Sequence, residues 1–274
     1  MRITTLSENT SNMAGIIGEY GFSVLIEKDS LKILFDTGQS TSCVKNADAM
    51  SVNLKDLDMI ILSHGHYDHA GGLKEVLMRT GPIEVCAHPD IFRKKYAVRR
   101  EKKRYIGIPF KKDELEDLGA HFKFSREPVR FGDFILSGEV ERKTSFEKDD
   151  PALFVDRGDG TLEPDPVLDD QALAIKTSLG LFVVLGCAHS GTVNTIKQLI
   201  KLSGCDQVYA VIGGTHLGFA DYNQIEETVK YLKSANVERI GVSHCTGSKG
   251  AKRLREEFGD QFFLNNAGDV IKVL

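Results

Sequence analysis

The sequence predicts an α/β protein built from two copies of one strand–helix pattern, and three observations carry that prediction. Short runs rich in Val, Ile, Leu and Phe alternate with segments of helical periodicity along most of the chain. In each half, a buried run passes straight into a polar, Gly-containing loop three times in succession. Those loops are where the chemistry-bearing side chains collect: six of the eight histidines follow an apolar run in a Gly-rich or acid-rich segment.

Taken in order, strands are expected at 2–6, 22–27, 31–35, 59–62 and 83–87, then at 134–136, 172–176, 181–185, 208–212, 239–242 and 270–273. As a set they are rich in Val, Ile, Leu and Phe, and many are bounded by Gly, Asp or Asn. Helical periodicity marks 72–78, 192–202, 222–234 and 249–258. The first copy reads KILFDTG, helix, DMIILSHGHYDH, helix, IEVCAH; the second reads LFVVLGCAH, helix, QVYAVIGGTH, helix, RIGVSH. Consecutive strands joined through helices run parallel, so their carboxyl ends gather on one sheet edge, where α/β proteins place their sites. That edge would receive Asp36, the His64–His69 cluster, His88, His189, His216 and His244. Between the copies, at about 89–170, the pattern degrades. This stretch is read as an insertion that covers the site edge within a single domain spanning 1–274.

Composition narrows the class. With 274 residues, 41% hydrophobic and 27% charged, the chain can bury a sizeable core and is not of the disordered type. No apolar run approaches the ~20 residues that cross a bilayer, and the opening MRITTLSENTS has no apolar signal-like stretch. A net charge of −4 argues against a globally basic nucleic-acid binder. The five cysteines are odd in number, scattered and never spaced as CxxC, so a disulfide framework is not expected and a reducing cytoplasm is. One local exception to the charge balance is 93–104, which holds eight Lys/Arg. It would bind phosphate groups or a nucleic-acid backbone, or it is a solvated helix face. A homo-oligomer is a further expectation if the apolar run 262–264 pairs chains rather than joining the core.

The segment Ser63-His64-Gly65-His66-Tyr67-Asp68-His69-Ala70-Gly71-Gly72 is the centre of the functional reading. Four potential ligands, His64, His66, Asp68 and His69, fall within six positions between a buried strand and a helix. Imidazole and carboxylate together are the donors of a borderline divalent metal. A tight loop lets His64 and His66 face one point while Asp68 and His69 turn toward a second; further ligands must then come from later strand ends.

HGHYDHAGG resembles the HxHxDH signature of the metallo-β-lactamase superfamily, and FDTG at 35–38 resembles its first, structural motif. The two-copy layout resembles that superfamily's duplicated fold across nearly the whole chain, which implies a four-layer αββα sandwich. Within the superfamily, LGCAHSGTVNT, VIGGTHLG and VSHCTG are similar to the branch that includes dihydropterin-6-methyl-4-(ribofuranosyl)aminobenzene-5′-phosphate synthase. The resemblance implies His64 and His66 as ligands of a first metal, and Asp68, His69 and His244 as ligands of a second. His189 stands where the superfamily's bridging acid is expected and is assigned as a ligand, while Asp169 or Asp170 lies near the usual third histidine of the first site.

His216 is assigned to substrate binding, with ligation and general-acid chemistry left open. Asp36 is assigned a supporting role, and Cys187 and Cys245 are read as small buried hydrophobes. The cofactor expected is a pair of divalent ions, zinc favoured over manganese, iron or magnesium. Asp68 would orient the nucleophilic water or shuttle its proton. Relatives that carry Glu at the second signature position and a flavin domain do redox chemistry, whereas His66 stands here. The functional expectation is a metal-dependent enzyme on a phosphorylated small molecule. It would either hydrolyse a phosphoester or transfer a pterin-methyl group with release of pyrophosphate. The alternatives are a metallo-nuclease or RNA-processing hydrolase, or a metal-binding sensor without turnover.

Overall fold

A computed structural model describes residues 1–273. The chain opens with β1 (Arg2–Ser7), β2 (Ser23–Lys28), β3 (Leu31–Phe35), α1 (Ser42–Ala49), β4 (Met59–Ile61), α2 (Tyr67–Ala70), α3 (Leu73–Thr80) and β5 (Ile83–Ala87). It continues through β6 (Lys95–Arg99), β7 (Lys102–Tyr105), α4 (Lys112–Asp117), β8 (Ala120–Phe124), β9 (Val129–Phe131), β10 (Phe134–Leu136), β11 (Leu153–Asp156) and β12 (Leu162–Pro164). The remainder is β13 (Ala172–Thr177), β14 (Gly180–Leu185), α5 (Thr192–Ser203), β15 (Val208–Gly213), α6 (Tyr222–Ser234), β16 (Arg239–Val242), α7 (Gly247–Phe258), β17 (Phe262–Leu264) and β18 (Val270–Lys272). All eleven expected strands and all four expected helices form. The fold class is α/β, with two mixed sheets flanked by helices. Among the described residues no helix is long and apolar enough to cross a membrane.

Two compact units divide the chain. One holds Met1–Ser125, Ala152–Pro164 and Asn266–Leu274; the other holds Arg126–Pro151 and Asp165–Asn265. The first unit contains a seven-stranded sheet in the order β18-β1-β2-β3-β4-β5-β8, and the second one in the order β9-β10-β13-β14-β15-β16-β17. Written this way, the two share one rule. The first three pairings are antiparallel and the last three parallel in both. The repeated motifs of the sequence thus sit on matching strands: β3, β4 and β5 answer β14, β15 and β16.

Registration of the parallel strands aligns their ends. Phe35 pairs with Ile61 and Ile61 with Cys86, so the loops after β3, β4 and β5 leave from one edge of the first sheet. Leu185 pairs with Gly213 and Gly213 with Val242, which does the same for the loops after β14, β15 and β16. Each sheet packs one face on its own helices. In the first unit Leu34, Ile60 and Val85 join Val44, Val76 and Leu77; in the second Val183, Val211 and Ile240 join Ile196, Val229 and Leu254. The alternate strand residues, such as Ile33, Phe35, Phe182 and Val184, are also buried, which is why these strands read as continuous apolar runs rather than as alternation.

The basic stretch 93–104 corrects one reading. It is not a helix face but the hairpin β6–β7, turned by Arg100 and Glu101 at φ of 49° and 66°. Two successive left-handed residues make the tight turn whose twist suits a hairpin. The hairpin joins β11 and β12 in a four-stranded sheet of the first unit. Its flanking residues do other work: β8 extends the first large sheet, and β9 with β10 extends the second. The apolar run 262–264 is the edge strand β17. Helix α1 escaped the periodicity test because its buried face carries polar groups. There the Asn46 amide donates to Leu6 O and Ile17 O, both at 2.8 Å, and its carbonyl accepts from Ile17 N at 2.8 Å.

Candidate metal centre

In the first unit the donors lie in one loop, and a single carboxylate organises them. Asp36 follows β3, is fully buried, and adopts φ 60°, a left-handed conformation that costs a non-glycine residue energy. Its Oδ1 accepts from Ser63 N at 2.7 Å, and its Oδ2 accepts from Ser63 Oγ at 2.7 Å. The same Oδ2 lies 2.6 Å from His69 Nδ1. Because the Ser63 hydroxyl proton is given to Asp36, Ser63 Oγ is left to accept from His64 Nδ1 at 2.9 Å. The network therefore assigns both His64 and His69 the Nδ1–H tautomer and leaves each Nε2 a lone pair. This is how a carboxylate behind a histidine sets the ring for metal binding. Thr37 completes the clamp, its N and Oγ1 both donating to His69 O, at 2.7 and 3.0 Å.

His64 Nε2 and His66 Nδ1 come within 3.0 Å of one another, with both rings buried. Two nitrogens on a tetrahedral ion at ~2.0–2.1 Å each would stand about 3.3 Å apart, so the pair already approximates a chelating bite. His69 lies beside them, its ring centroid 4.2 Å from that of His64. Asp68, 7% exposed, occupies the first turn of α2, and His66 precedes that helix as its N-terminal flank. The loop closes this tightly because Gly65 has no side chain: a Cβ there would sit 2.1 Å from Ile91 O. His88 and His121 take no part. The buried His88 accepts from Asp90 N at 3.1 Å to cap a short turn, and His121 is exposed on β8.

The second unit spreads its donors over three strand ends. His189 follows β14, His216 follows β15 and His244 follows β16. Ala188, His216 and His244 all adopt left-handed φ, of 53°, 55° and 49°. Strain of this kind persists only where surrounding contacts enforce it, and it collects at functional sites. The His189 and His216 rings are 4.4 Å apart, and donor atoms of Cys187, His189 and His216 fall within 4.8 Å of one another. Those of Cys187, His244 and Cys245 do the same.

Both cysteines are buried, and the Cys245 thiol also makes polar contacts. Cys245 Sγ accepts from His216 N at 3.3 Å and also contacts Cys187 O at 3.5 Å. Burial pushes the Cys245 thiol up, but its hydrogen bonds to Cys187 and His216 and the neighbouring imidazoles outweigh that and hold it well below the usual value. Burial pulls His216 down, while the Asp150 carboxylate and Cys245 push it further the other way, up to about 9. Asp150 Oδ2 lies 3.8 Å from His216 Nε2, an ion-pair distance rather than a hydrogen bond.

Asp170 is buried, and its Oδ2 accepts from Ser190 N at 3.0 Å, which anchors the loop that carries His189; burial raises its carboxyl to about 6. Sequence reasoning missed Glu147 altogether. Its carboxylate accepts from Val193 N at 2.7 Å and Asn194 N at 2.9 Å, satisfying the first turn of α5 from a distant segment. A polar residue in an irregular stretch gives no pattern by which to find such a contact.

The metallo-β-lactamase superfamily model matches residues 16–197. A curated protein of Methanocaldococcus jannaschii, named 7,8-dihydropterin-6-methyl-4-(β-D-ribofuranosyl)-aminobenzene-5′-phosphate synthase, is 39% identical over 285 residues, covering 99% of this chain and 96% of its own. Among solved structures, one described as a metal-dependent hydrolase of the β-lactamase superfamily is 31% identical with a TM-score of 0.87, covering 100% of this chain and 99% of its own. The Zn²⁺-bound PqqB of Methylobacterium extorquens, at 11% identity and a TM-score of 0.58 over the full length of both chains, shares the fold.

Proposed function

Because the chain belongs to the metallo-β-lactamase superfamily, we propose that it is a metal-dependent enzyme acting on a phosphorylated pterin-type small molecule. One observation carries the reading: a buried loop in which Asp36 presets two imidazole tautomers and two ring nitrogens meet at 3.0 Å. The donor set fits a borderline divalent ion, zinc first, and does not fit a hard oxygen-only site. In this reading the ligands of two ions are drawn from His64, His66, Asp68, His69, His189 and His244.

A divalent ion bound there supplies Lewis-acid polarisation of a phosphate oxygen and lowers the pKa of water from ~15.7 toward ~7. The chain's own residues do the rest. Asp36 holds His64 and His69 in the tautomers that present Nε2. Asp68, nearly buried at the start of α2, takes and returns the proton of the attacking group. His216 contacts the substrate. The named relative is a synthase whose product joins a dihydropterin-6-methyl group to an aminobenzene, which favours the transferase reading. The solved relative's description favours attack by water. The same carboxylate serves either nucleophile.

The test is metal analysis of protein purified without chelator, followed by phosphate- and pyrophosphate-release assays on a pterin-methyl pyrophosphate. Release that requires an arylamine acceptor assigns a transferase; release in water alone assigns a hydrolase. EDTA is expected to abolish either. Full activity in a metal-free preparation overturns the proposal, as does an Asp68→Ala variant that keeps both its metal and its turnover.

A further inference from the structure

The cationic hairpin β6–β7 has no part in the metal centre, yet backbone bonds tie it to the donor loop of its own unit. Tyr67 N donates to Ile106 O at 2.9 Å, Ile106 N donates to Lys95 O at 2.9 Å, and His66 forms an antiparallel bridge with Gly107. Strand β7 therefore runs directly into the short stretch that pairs with the His64–His69 segment.

Register sorts the hairpin's side chains onto two faces, because successive strand residues point to opposite sides and directly paired residues share one. Tyr96 pairs with Tyr105 and Val98 with Lys103. On that face Lys103 Nζ lies 4.0 Å from the Tyr96 ring centroid, and the two tyrosine rings meet edge-on at 5.4 Å. Ala97 pairs with Arg104 and Arg99 with Lys102, which puts three cations on the other face. There the Arg104 guanidinium lies over the Tyr67 ring, 4.8 Å from its centroid, and Tyr67 is the residue between His66 and Asp68.

Charge selects the ligand. Lys102 and Arg104 are exposed on an edge strand, and among the described residues neither is paired with a carboxylate. Charged side chains by themselves protect a sheet edge from stray strands. A guanidinium laid on a ring does more: the ring holds it in place, and its five N–H donors leave several for a ligand. Its planar fork matches two oxygens of a phosphate. Lys102, two residues away, is about 7 Å along the strand, close enough for one phosphate or diphosphate group to meet both side chains. A nucleic-acid backbone needs a longer cationic track, and the chain as a whole carries a net charge of −4.

We propose that Arg104 and Lys102 form a subsite for a phosphate or diphosphate group of the substrate, with Tyr67 as the platform that aims the guanidinium. This subsite rests on the phosphorylated substrate proposed above and adds the residues that select its anionic end.

The experiment is an isothermal titration of the full chain, as purified and at low salt, with inorganic pyrophosphate, the metal content of each protein being measured alongside. Arg104→Ala is expected to weaken binding by about tenfold or more, the value of hydrogen bonds to a charged group. Lys102→Ala is expected to weaken it by about three- to fivefold. Arg104→Lys, which keeps the charge and loses the fork, falls between them. Lys103→Ala removes the same charge from the opposite face and is expected to stay within about twofold. Metal content is expected to be unchanged throughout.

An unchanged Arg104→Ala variant overturns the assignment, as does the absence of saturable binding to the unmodified protein. Equal losses for Arg104→Ala and Lys103→Ala also overturn it, because net charge would then explain the effect. So does tight binding of a single-stranded RNA that pyrophosphate fails to displace, which would make the hairpin an RNA-binding arm. All four substitutions lie on one exposed edge strand, and circular dichroism checks that each variant is folded. If the protein proves metal-free and inactive but the titrations come out as expected, the enzyme reading fails and the anion subsite stands. If metal-dependent turnover is found and Arg104→Ala leaves KM unchanged, the reverse holds.

Discussion

The two units build their sheets by one rule and their donor sets by two. In the first, four potential ligands occupy one short stretch after β4, and the Asp36 carboxylate after β3 holds the tautomers of two of them, His64 and His69. In the second, three histidines come from three separate strand ends, with left-handed backbone at Ala188, His216 and His244 and a sulfur contact at His216 N. A repeated frame thus constrains where functional side chains emerge, not how they are fixed. The contiguous set relies on hydrogen bonds from one residue, and the dispersed set relies on the shape of three loops.

Asp36→Ala strikes the first arrangement hardest. It leaves Ser63 and His69 without their buried acceptor, and a loss of about 3 kcal/mol or more is expected, read by urea denaturation. The milder Asp36→Asn is expected to lower metal affinity by 10–100-fold, read by competition with a chromophoric chelator. An unchanged affinity would remove the contrast between the units.

Shape is tested next. A Cβ at Gly65 would lie 2.1 Å from Ile91 O, and at Gly214 it would lie 2.5 Å from both Cys245 Sγ and Gly186 O. Gly65→Ala and Gly214→Ala are each expected to cost about 1–3 kcal/mol by overpacking. If the second unit depends more on loop shape, Gly214→Ala will disturb metal content more than its stability cost predicts.

Glu147→Gln, which weakens the anchoring of α5, is expected to cost about 1 kcal/mol in thermal unfolding and leave metal content unchanged. The smallest effect concerns thiols. Burial pushes Cys43 and Cys86 of the first unit up to about 12, so both stay protonated from neutral pH to pH 9. Mass spectrometry after alkylation of the folded protein should find them unmodified across that range while the partly exposed Cys205 reacts. Labelling of Cys43 that rises between pH 7 and 9 would contradict its environment.

What was legible in the sequence follows from the same contrast. The 64–69 cluster announces itself because its residues are neighbours in the chain, and the strands announce themselves because burial on both faces makes them uniformly apolar. The supporting role of Asp36 was readable from DTG after a buried strand. The anchoring contact of Glu147 was not, because it acts across a gap of tens of residues from an irregular segment that has no period. The hairpin β6–β7 could not be told from a helix face because lysine and arginine suit both states, and its turn is set by Arg100 and Glu101 in a conformation that composition does not reveal. The polar contacts of Cys245 were hidden too, since a thiol's polarity shows only through what it touches.

The order of strands in the first sheet also sets a timetable. β1 takes part of its pairing from β18, which the ribosome makes only after every strand of the second sheet. During all of that synthesis the nascent first sheet presents an open edge, the kind of surface that recruits stray strands from other chains. Yield in the cell should therefore hinge on shielding by chaperones during translation, and less on the stability of the finished molecule.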